Sequence, residues 1–188
     1  MAQEPARGVR RTYGGKVKKA TKKYIIENIV DLLDYGDIGF EKNVVGTASE
    51  HGALKDFKKL GYDVSRNHSS DVKGLPDFTL IWKQVLLLIK HKRVSKNSYA
   101  DGSFRLEFQK TRGSINDPST RFYEPSWCDI VSIDVSEHTG ILNDKRFVLT
   151  RNLARHKKYP NKIKATHRED SFWHNSLQEA LEELMEEQ

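Results

Sequence analysis

The sequence has 188 residues, a formal net charge of +6 and a pI of about 9.3. Hydrophobic residues make up 37% and charged residues 31% of it, which suits one packed domain with a heavily charged surface. The basic balance favours polyanionic partners, nucleic acid first. The single cysteine, Cys128, excludes a disulfide framework and a cysteine-based zinc site, and it is predicted to be a core residue.

Membrane insertion is not indicated by the sequence. It contains no stretch near the ~20 apolar residues that a membrane helix needs, and residues 1–23 lack the apolar segment of a signal peptide. We therefore expect a soluble, cytoplasmic protein with no membrane partner, which associates with the nucleoid when it is bound to DNA.

Taken along the chain, residues 1–23 are predicted to form a flexible basic arm, and residues 24–188 are expected to form one domain. Helices are predicted at 24–35, 48–60 and 176–188. The second helix is placed after Thr47, because Thr47 and Glu50 match the pattern of a capping box. Strands are predicted at 62–66, 77–81, 85–90, 104–109, 127–135 and 146–150. This order of elements indicates a mixed α+β (α/β) fold.

The residues with the clearest chemical meaning flank the predicted strand pair at 77–90. Asp77 begins this pair, and Lys90-His91-Lys92 ends it. A hairpin brings the start of its first strand close to the end of its second, so these residues should meet at one place. Strand side chains alternate, so Lys90 and Lys92 share one face and His91 points to the other. We therefore expect no catalytic role for His91, and we expect the histidines to lie at the surface or near nucleic acid.

A Pro-Asp dipeptide, a strand pair and an acid-x-Lys tripeptide form the signature of the PD-(D/E)xK nuclease superfamily, which the sequence resembles over about 46–135. The predicted helix with Glu50 is similar to the family helix that contributes a glutamate. Residues 61–66 and the serines Ser69 and Ser70 resemble those of archaeal Holliday-junction resolvases. The resemblance implies a restriction-endonuclease-like fold, with a central mixed sheet flanked by helices.

The resemblance also implies metal-dependent hydrolysis of phosphodiester bonds, with Mg²⁺ or Mn²⁺ as the cofactor. Asp77 would be the bridging metal ligand, and Glu50 would act through a water or a second ion. Lys92 would orient the attacking water and stabilise charge in the transition state. Each residue also has a purely structural interpretation: Pro76-Asp77 as a turn, the lysines as edge-strand charges and Glu50 as a helix cap.

Lys90 departs from the family pattern, because an acid is expected where this lysine stands. A cation there repels Mg²⁺ and removes a ligand. Three explanations are open: an inactivated variant, which we favour; a nuclease-fold protein that binds without cutting; or an acid supplied elsewhere. For the last, Glu107 and Gln109 imitate the missing tripeptide further along the chain.

A Mg²⁺-dependent DNA endonuclease is therefore the expected function, with a restriction endonuclease first and a Holliday-junction resolvase second. It would act as a homodimer on double-stranded or branched DNA. The alternatives are a non-catalytic DNA-binding module with a degenerate nuclease fold, and a basic RNA-binding or ribosome-associated protein. The residues expected to contact the nucleic acid are Arg66, Ser69, Arg105, Lys110, Arg112 and Arg121.

Overall fold

The computed structural model describes residues 38–67, 76–94, 99–110 and 113–186, with side chains from residue 43 onward. The chain divides into two compact units, Met1–Lys42 and Asn43–Gln188, and the second holds all the strands described below. The predicted basic arm, the predicted helix at 24–35 and the residues Ser69, Ser70 and Arg112 lie outside the described residues.

The first described helix, α1, spans Ile38–Lys59 and begins well before the predicted position. Thr47 and Glu50 therefore lie inside the helix, and the capping-box interpretation is wrong. A glycine within a helix costs only about 1 kcal/mol, so Gly46 does not end it. The predicted stop at Gly61 is confirmed: this residue has a φ of 88°, and the chain closes the helix with hydrogen bonds from Gly61 N to Lys58 O and from Tyr62 N to Phe57 O.

A six-stranded mixed sheet forms the centre of the fold. Its strands are β1 (Asp63–Arg66), β2 (Phe78–Trp82), β3 (Val85–Arg93), β5 (Ile130–Asp134), β6 (Lys145–Leu149) and β8 (Trp173–His174), in the order β1-β2-β3-β5-β6-β8. Neighbouring strands are antiparallel except β3 and β5, which run parallel. A parallel pair needs a long connection, and here residues 94–129 supply it. The predicted mixed α+β class is confirmed.

Shorter elements complete the described part of the chain. Strands β4 (Arg105–Glu107) and β7 (Thr166–Arg168) form a two-stranded antiparallel sheet. The helices α2 (Ser136–Thr139) and α3 (Leu177–Glu186) are also present, and 3-10 turns occur at Pro118–Arg121, Pro125–Trp127 and Thr150–Asn152. The sequence did not predict β7 and β8, because two or three residues are too few to show a strand period. Among the described residues, no helix combines the length and apolar character needed to cross a membrane.

Two hydrophobic clusters cover the two faces of the large sheet. On one face, α1 and α3 pack with residues such as Phe57, Phe78, Ile89 and Leu181. On the other face, the segments around β4 and β7 pack with residues of β5 and β6, and Cys128 is buried there as predicted. Strand β3 alternates between the faces: His91 follows Ile89 toward the helices, and Lys90 and Lys92 follow Leu88 toward the opposite side.

Candidate functional site

Asp77 and Lys90 form an ion pair at the end of the β2–β3 hairpin. Phe78 pairs with Ile89 across the hairpin, which places their neighbours Asp77 and Lys90 side by side. Lys90 Nζ donates to Asp77 Oδ1 at 2.5 Å, and the His91 backbone N–H donates to Asp77 Oδ2 at 2.7 Å. The two paired side chains are only 15% and 14% exposed. Both carboxylate oxygens of Asp77 are therefore engaged, one of them by a cation largely shielded from water.

Asn67 holds the backbone that carries Asp77. The Asn67 backbone N–H donates to Asp77 O at 2.8 Å, and its side-chain amide donates to Pro76 O at 2.9 Å. Thr79 Oγ1 in turn donates to Asn67 Oδ1 at 2.9 Å. The asparagine side chain supplies one donor and one acceptor and its backbone N–H a second donor, so a single residue fixes the entry to β2. The sequence placed Asn67 in a polar loop and gave no sign of this role.

Lys92 lies on the same face as Lys90 but has a different environment. Burial and the neighbouring Lys90 cation lower the pKa of Lys92 to about 8, against the opposite effect of the carboxylates of Asp77, Glu50 and Glu107. Its Nζ lies 5.8 Å from the centre of the Tyr123 ring. Within the described part of the chain, Lys92 has no ion-pair partner. An amine without a carboxylate partner is available to an incoming anion.

Glu50, on α1, pairs with Arg66 at the end of β1. Arg66 donates to Glu50 Oε2 at 2.7 Å, and both side chains are partly exposed. A predicted metal ligand and a predicted DNA contact thus neutralise each other. Glu50 remains close enough to Lys92 to influence its pKa.

The residues present do not fit a Mg²⁺ site. Magnesium binds through one or two carboxylates and water, whereas Asp77 is paired with Lys90 and Glu50 with Arg66. Within the described ranges there is no group of three or more His, Cys, Asp or Glu side chains that could hold a metal ion.

The alternative acid, Glu107, lies on β4 and pairs with Arg105 at 3.6 Å. Its charge reaches Lys92 and raises the pKa of that lysine. Gln109 follows on the same side of the strand and forms a bridge with Phe122. Glu107 therefore lies close enough to Lys92 to act on it electrostatically, but it forms its ion pair with Arg105.

The remaining predicted nucleic-acid contacts lie around this region. Arg105 is held by Glu107, and Arg121 Nε donates to the Lys110 carbonyl at 3.3 Å. Lys110 is exposed, and its Nζ lies 5.8 Å from the centre of the Tyr123 ring. In the described residues, Lys110 has no ion-pair partner, so its charge is open to phosphate.

Two aromatic rings beside the lysines were not anticipated. Tyr123 and Trp127 stack with centroids 4.2 Å apart and an interplanar angle of 15°. Lys90 Nζ lies 5.7 Å from the centre of the Trp127 ring. Burial and the Asp77 charge raise the pKa of Tyr123 to about 12, so the phenol stays neutral. The aromatic residues Phe122, Tyr123 and Trp127, closely spaced before Cys128, were the sequence signal that could have indicated this cluster.

His91 belongs to a buried polar network on the helical side of the sheet. Ser49 Oγ donates to Asp134 Oδ2 at 2.6 Å and lies 2.9 Å from His91 Nε2, and His91 Nδ1 lies 3.1 Å from Ser132 Oγ. The single Ser49 proton goes to Asp134, so neutral His91 must donate from Nε2 and accept at Nδ1. Burial lowers the pKa of His91 to about 4.

The expectation of surface histidines is wrong for His91, which is 4% exposed, and for His167, which is also buried. Sequence alternation gave the correct face for His91. It did not reveal that α1 covers that face.

Comparisons with known proteins give a limited result. No protein-family model matches the chain, and no curated protein matches it either. Among solved structures, the bacterial homing endonuclease I-Ssp6803I is similar with a TM-score of 0.47 and 16% sequence identity, over 69% of this chain and 78% of that chain.

Proposed function

We propose that this domain is a DNA endonuclease domain of the PD-(D/E)xK type, in which Lys90 suppresses metal-dependent cleavage. The observation that carries the proposal is the contact of Lys90 Nζ with Asp77 Oδ1 at 2.5 Å. The carboxylate, the residue at the acidic position and Lys92 meet at the end of one hairpin, as the superfamily pattern requires. The main departure at this place is Lys90, which replaces an acidic oxygen ligand with a cation.

Electrostatics explain why this departure would suppress cleavage. Two unit charges about 4 Å apart interact by about 4 kcal/mol at an effective dielectric constant of about 20. A lysine in place of a glutamate therefore changes an attraction for a divalent cation into a repulsion and removes an oxygen ligand. Lys90 also occupies Asp77 directly. We propose that the chain holds DNA through Lys92 and Lys110 and cuts it slowly or not at all.

The decisive experiment compares the chain with Lys90→Glu on supercoiled plasmid and on a four-way DNA junction in Mg²⁺ or Mn²⁺. We expect Lys90→Glu to cut, and we expect chelation or a second substitution, Asp77→Asn, to abolish the cutting. Lys83→Glu is the matched control, because it makes the same charge change at the exposed turn of the same hairpin. Cleavage by the Lys83 variant but not by the Lys90 variant would refute the assignment.

The same assay distinguishes a restriction endonuclease from a Holliday-junction resolvase. Double-strand cuts at fixed plasmid positions would support a restriction endonuclease, for which we propose a homodimer because two strands need two sites. Preferential cutting of the junction would support a resolvase.

A second candidate, a non-catalytic DNA-binding module, is favoured by the ion pair itself, since Lys90 neutralises Asp77. It predicts that both proteins bind DNA and that neither cuts. Failure of both proteins to bind any DNA would contradict both candidates.

A further inference from the structure

We propose that a cavity beside the Asp77–Lys90 pair receives an unstacked nucleobase, so that the substrate class is DNA with an unpaired or extruded nucleotide. This inference rests on the proposed DNA-binding function. The cavity, called here the aromatic pocket, has a volume of about 400 Å³ and is lined by Pro76, Leu88, Lys110, Phe122, Tyr123 and Trp127, among others. That volume lies within the usual range of small-ligand pockets, roughly 300–1,000 Å³.

The aromatic pocket adjoins the candidate site through two of its lining residues. Pro76 directly precedes Asp77. Leu88 lies on β3 two residues before Lys90, so the two side chains share one face of the strand. A nucleotide bound in the pocket would therefore present its own backbone near Asp77, Lys90 and Lys92.

The walls of the pocket suit a flat, apolar ring. Trp127 stacks on Tyr123, and Phe122 contributes a third, half-buried ring that packs on His156 at a centroid distance of 4.3 Å. Bases that leave a duplex stack commonly on aromatic side chains, and this contact tolerates any base because every base has a π-face.

The charges around the pocket suit the phosphates that accompany a base. Lys110 Nζ and Lys92 Nζ each lie 5.8 Å from the Tyr123 ring. Lys162 also lines the pocket, but it pairs with Glu124 at 2.6 Å, so that pair adds no net charge. Unpaired cations next to stacked rings are the combination that binds unpaired nucleic-acid strands.

A second cavity lacks these properties. It has a volume of about 480 Å³ and is lined in part by Tyr99 and Arg168. Arg168 covers the Tyr99 ring at 4.0 Å and pairs with Asp101 at 2.8 Å. The Tyr99 ring face and the Arg168 cation are thus already used within the protein.

The test uses the unaltered chain and DNA duplexes that carry one 5-iodouracil, either fully paired or as a single unpaired bulge. Ultraviolet light cross-links this base to a ring in contact with it. We expect the bulged duplex to cross-link to the peptide that contains Phe122, Tyr123 and Trp127, and the paired duplex to cross-link far less.

Affinity measurements form the second arm. We expect Phe122→Ala to weaken binding of bulged or single-stranded DNA about tenfold, as loss of one stacking ring does, and to leave binding of paired duplex unchanged. Phe172→Ala is the matched control, because Phe172 is exposed and lies outside the pocket. A free mononucleotide should compete only weakly, because it offers one phosphate to the lysines.

Each other outcome overturns the inference. Equal cross-linking of both duplexes, a cross-link elsewhere, or equal losses for Phe122→Ala on bulged and paired DNA would exclude a base in the pocket while the proposed function stands. Competition by the mononucleotide as strong as that by the oligonucleotide would assign the pocket to free nucleotides. Absence of any DNA binding would remove the proposed function as well.

Discussion

At the scale of single residues, Lys90 and Lys92 lie on one face of β3 but differ in their ion-pair partners. Lys90 forms an ion pair with Asp77. Lys92 has no carboxylate partner in the described residues and is partly desolvated. One lysine therefore neutralises Asp77, and the other has no carboxylate partner among the described residues. This division of roles follows from register, because the hairpin places Asp77 beside position 90 rather than position 92.

His91, between these lysines, makes stability depend on pH. Its folded-state pKa is about 4 against an ordinary value of 6.5. Between these two pH values His91 is protonated in the unfolded chain and neutral in the folded chain. The free energy of unfolding therefore decreases as the pH falls from about 6.5 toward 4. From about pH 7.5 to about pH 5, this one group should cost about 2 kcal/mol.

Urea unfolding of the chain and of His91→Gln at both pH values measures this effect. We expect the stability difference between the two pH values to shrink by about that amount in the variant, whatever its absolute stability. Asp134, Asp77, Lys145 and Lys90 act on His91 electrostatically, and they remain in both proteins. An unchanged difference would mean that His91 is not held neutral.

At the scale of elements, α1 connects the core to the site. Phe57 is 1% exposed and meets Phe78 edge-to-face at 5.8 Å. Ser49 and Glu50, on the same helix, reach Asp134 and Arg66. Packing of α1 against the sheet thus fixes both the buried network and the acidic group near Lys92.

Truncation of Phe57 should therefore be costly. We expect Phe57→Ala to lower the free energy of unfolding by about 3–5 kcal/mol, the usual cost of removing a buried phenylalanine. Leu60→Ala, just past the end of the same helix at a side chain 71% exposed, should change it by no more than about 0.5 kcal/mol. Similar losses for both variants in denaturant unfolding would contradict the packing of α1.

Contacts within one hairpin could be predicted from the sequence, whereas contacts between distant elements could not. The meeting of Asp77 and Lys90 was predictable because it depends on one hairpin with a short turn, where Lys83 and Gln84 take positive φ values of 46° and 68°. The Ser49–His91 and Ser49–Asp134 contacts join residues 42 and 85 positions apart, and no local pattern encodes them. The stacking of Tyr123 and Trp127 was missed because a strand was predicted to begin at Trp127, whereas a 3-10 turn at Pro125–Trp127 brings the two rings together.

At the scale of the whole described domain, the glutamates of α3 and the lysines of β3 lie on opposite faces of the large sheet. Helix α3 packs its apolar side on one face and exposes glutamates such as Glu179, Glu182 and Glu186. Lys90, Lys92 and Lys110 surround the opposite face with its aromatic rings. With a net charge of +6 for the chain, this arrangement agrees with the proposal that a polyanion binds on the lysine side.

The most direct measurement is calorimetric titration of Mg²⁺ and Mn²⁺ into the chain, into Lys90→Glu and into the Lys83→Glu control, without DNA. We expect no binding at Asp77 by the chain or by Lys83→Glu, because Mg²⁺ binds through carboxylate oxygens and Lys90 occupies Asp77 in both proteins. Lys90→Glu should bind, and addition of Asp77→Asn should remove that binding. Metal binding by the unaltered chain that disappears in Asp77→Asn would contradict the central claim that Lys90 closes this carboxylate to metal.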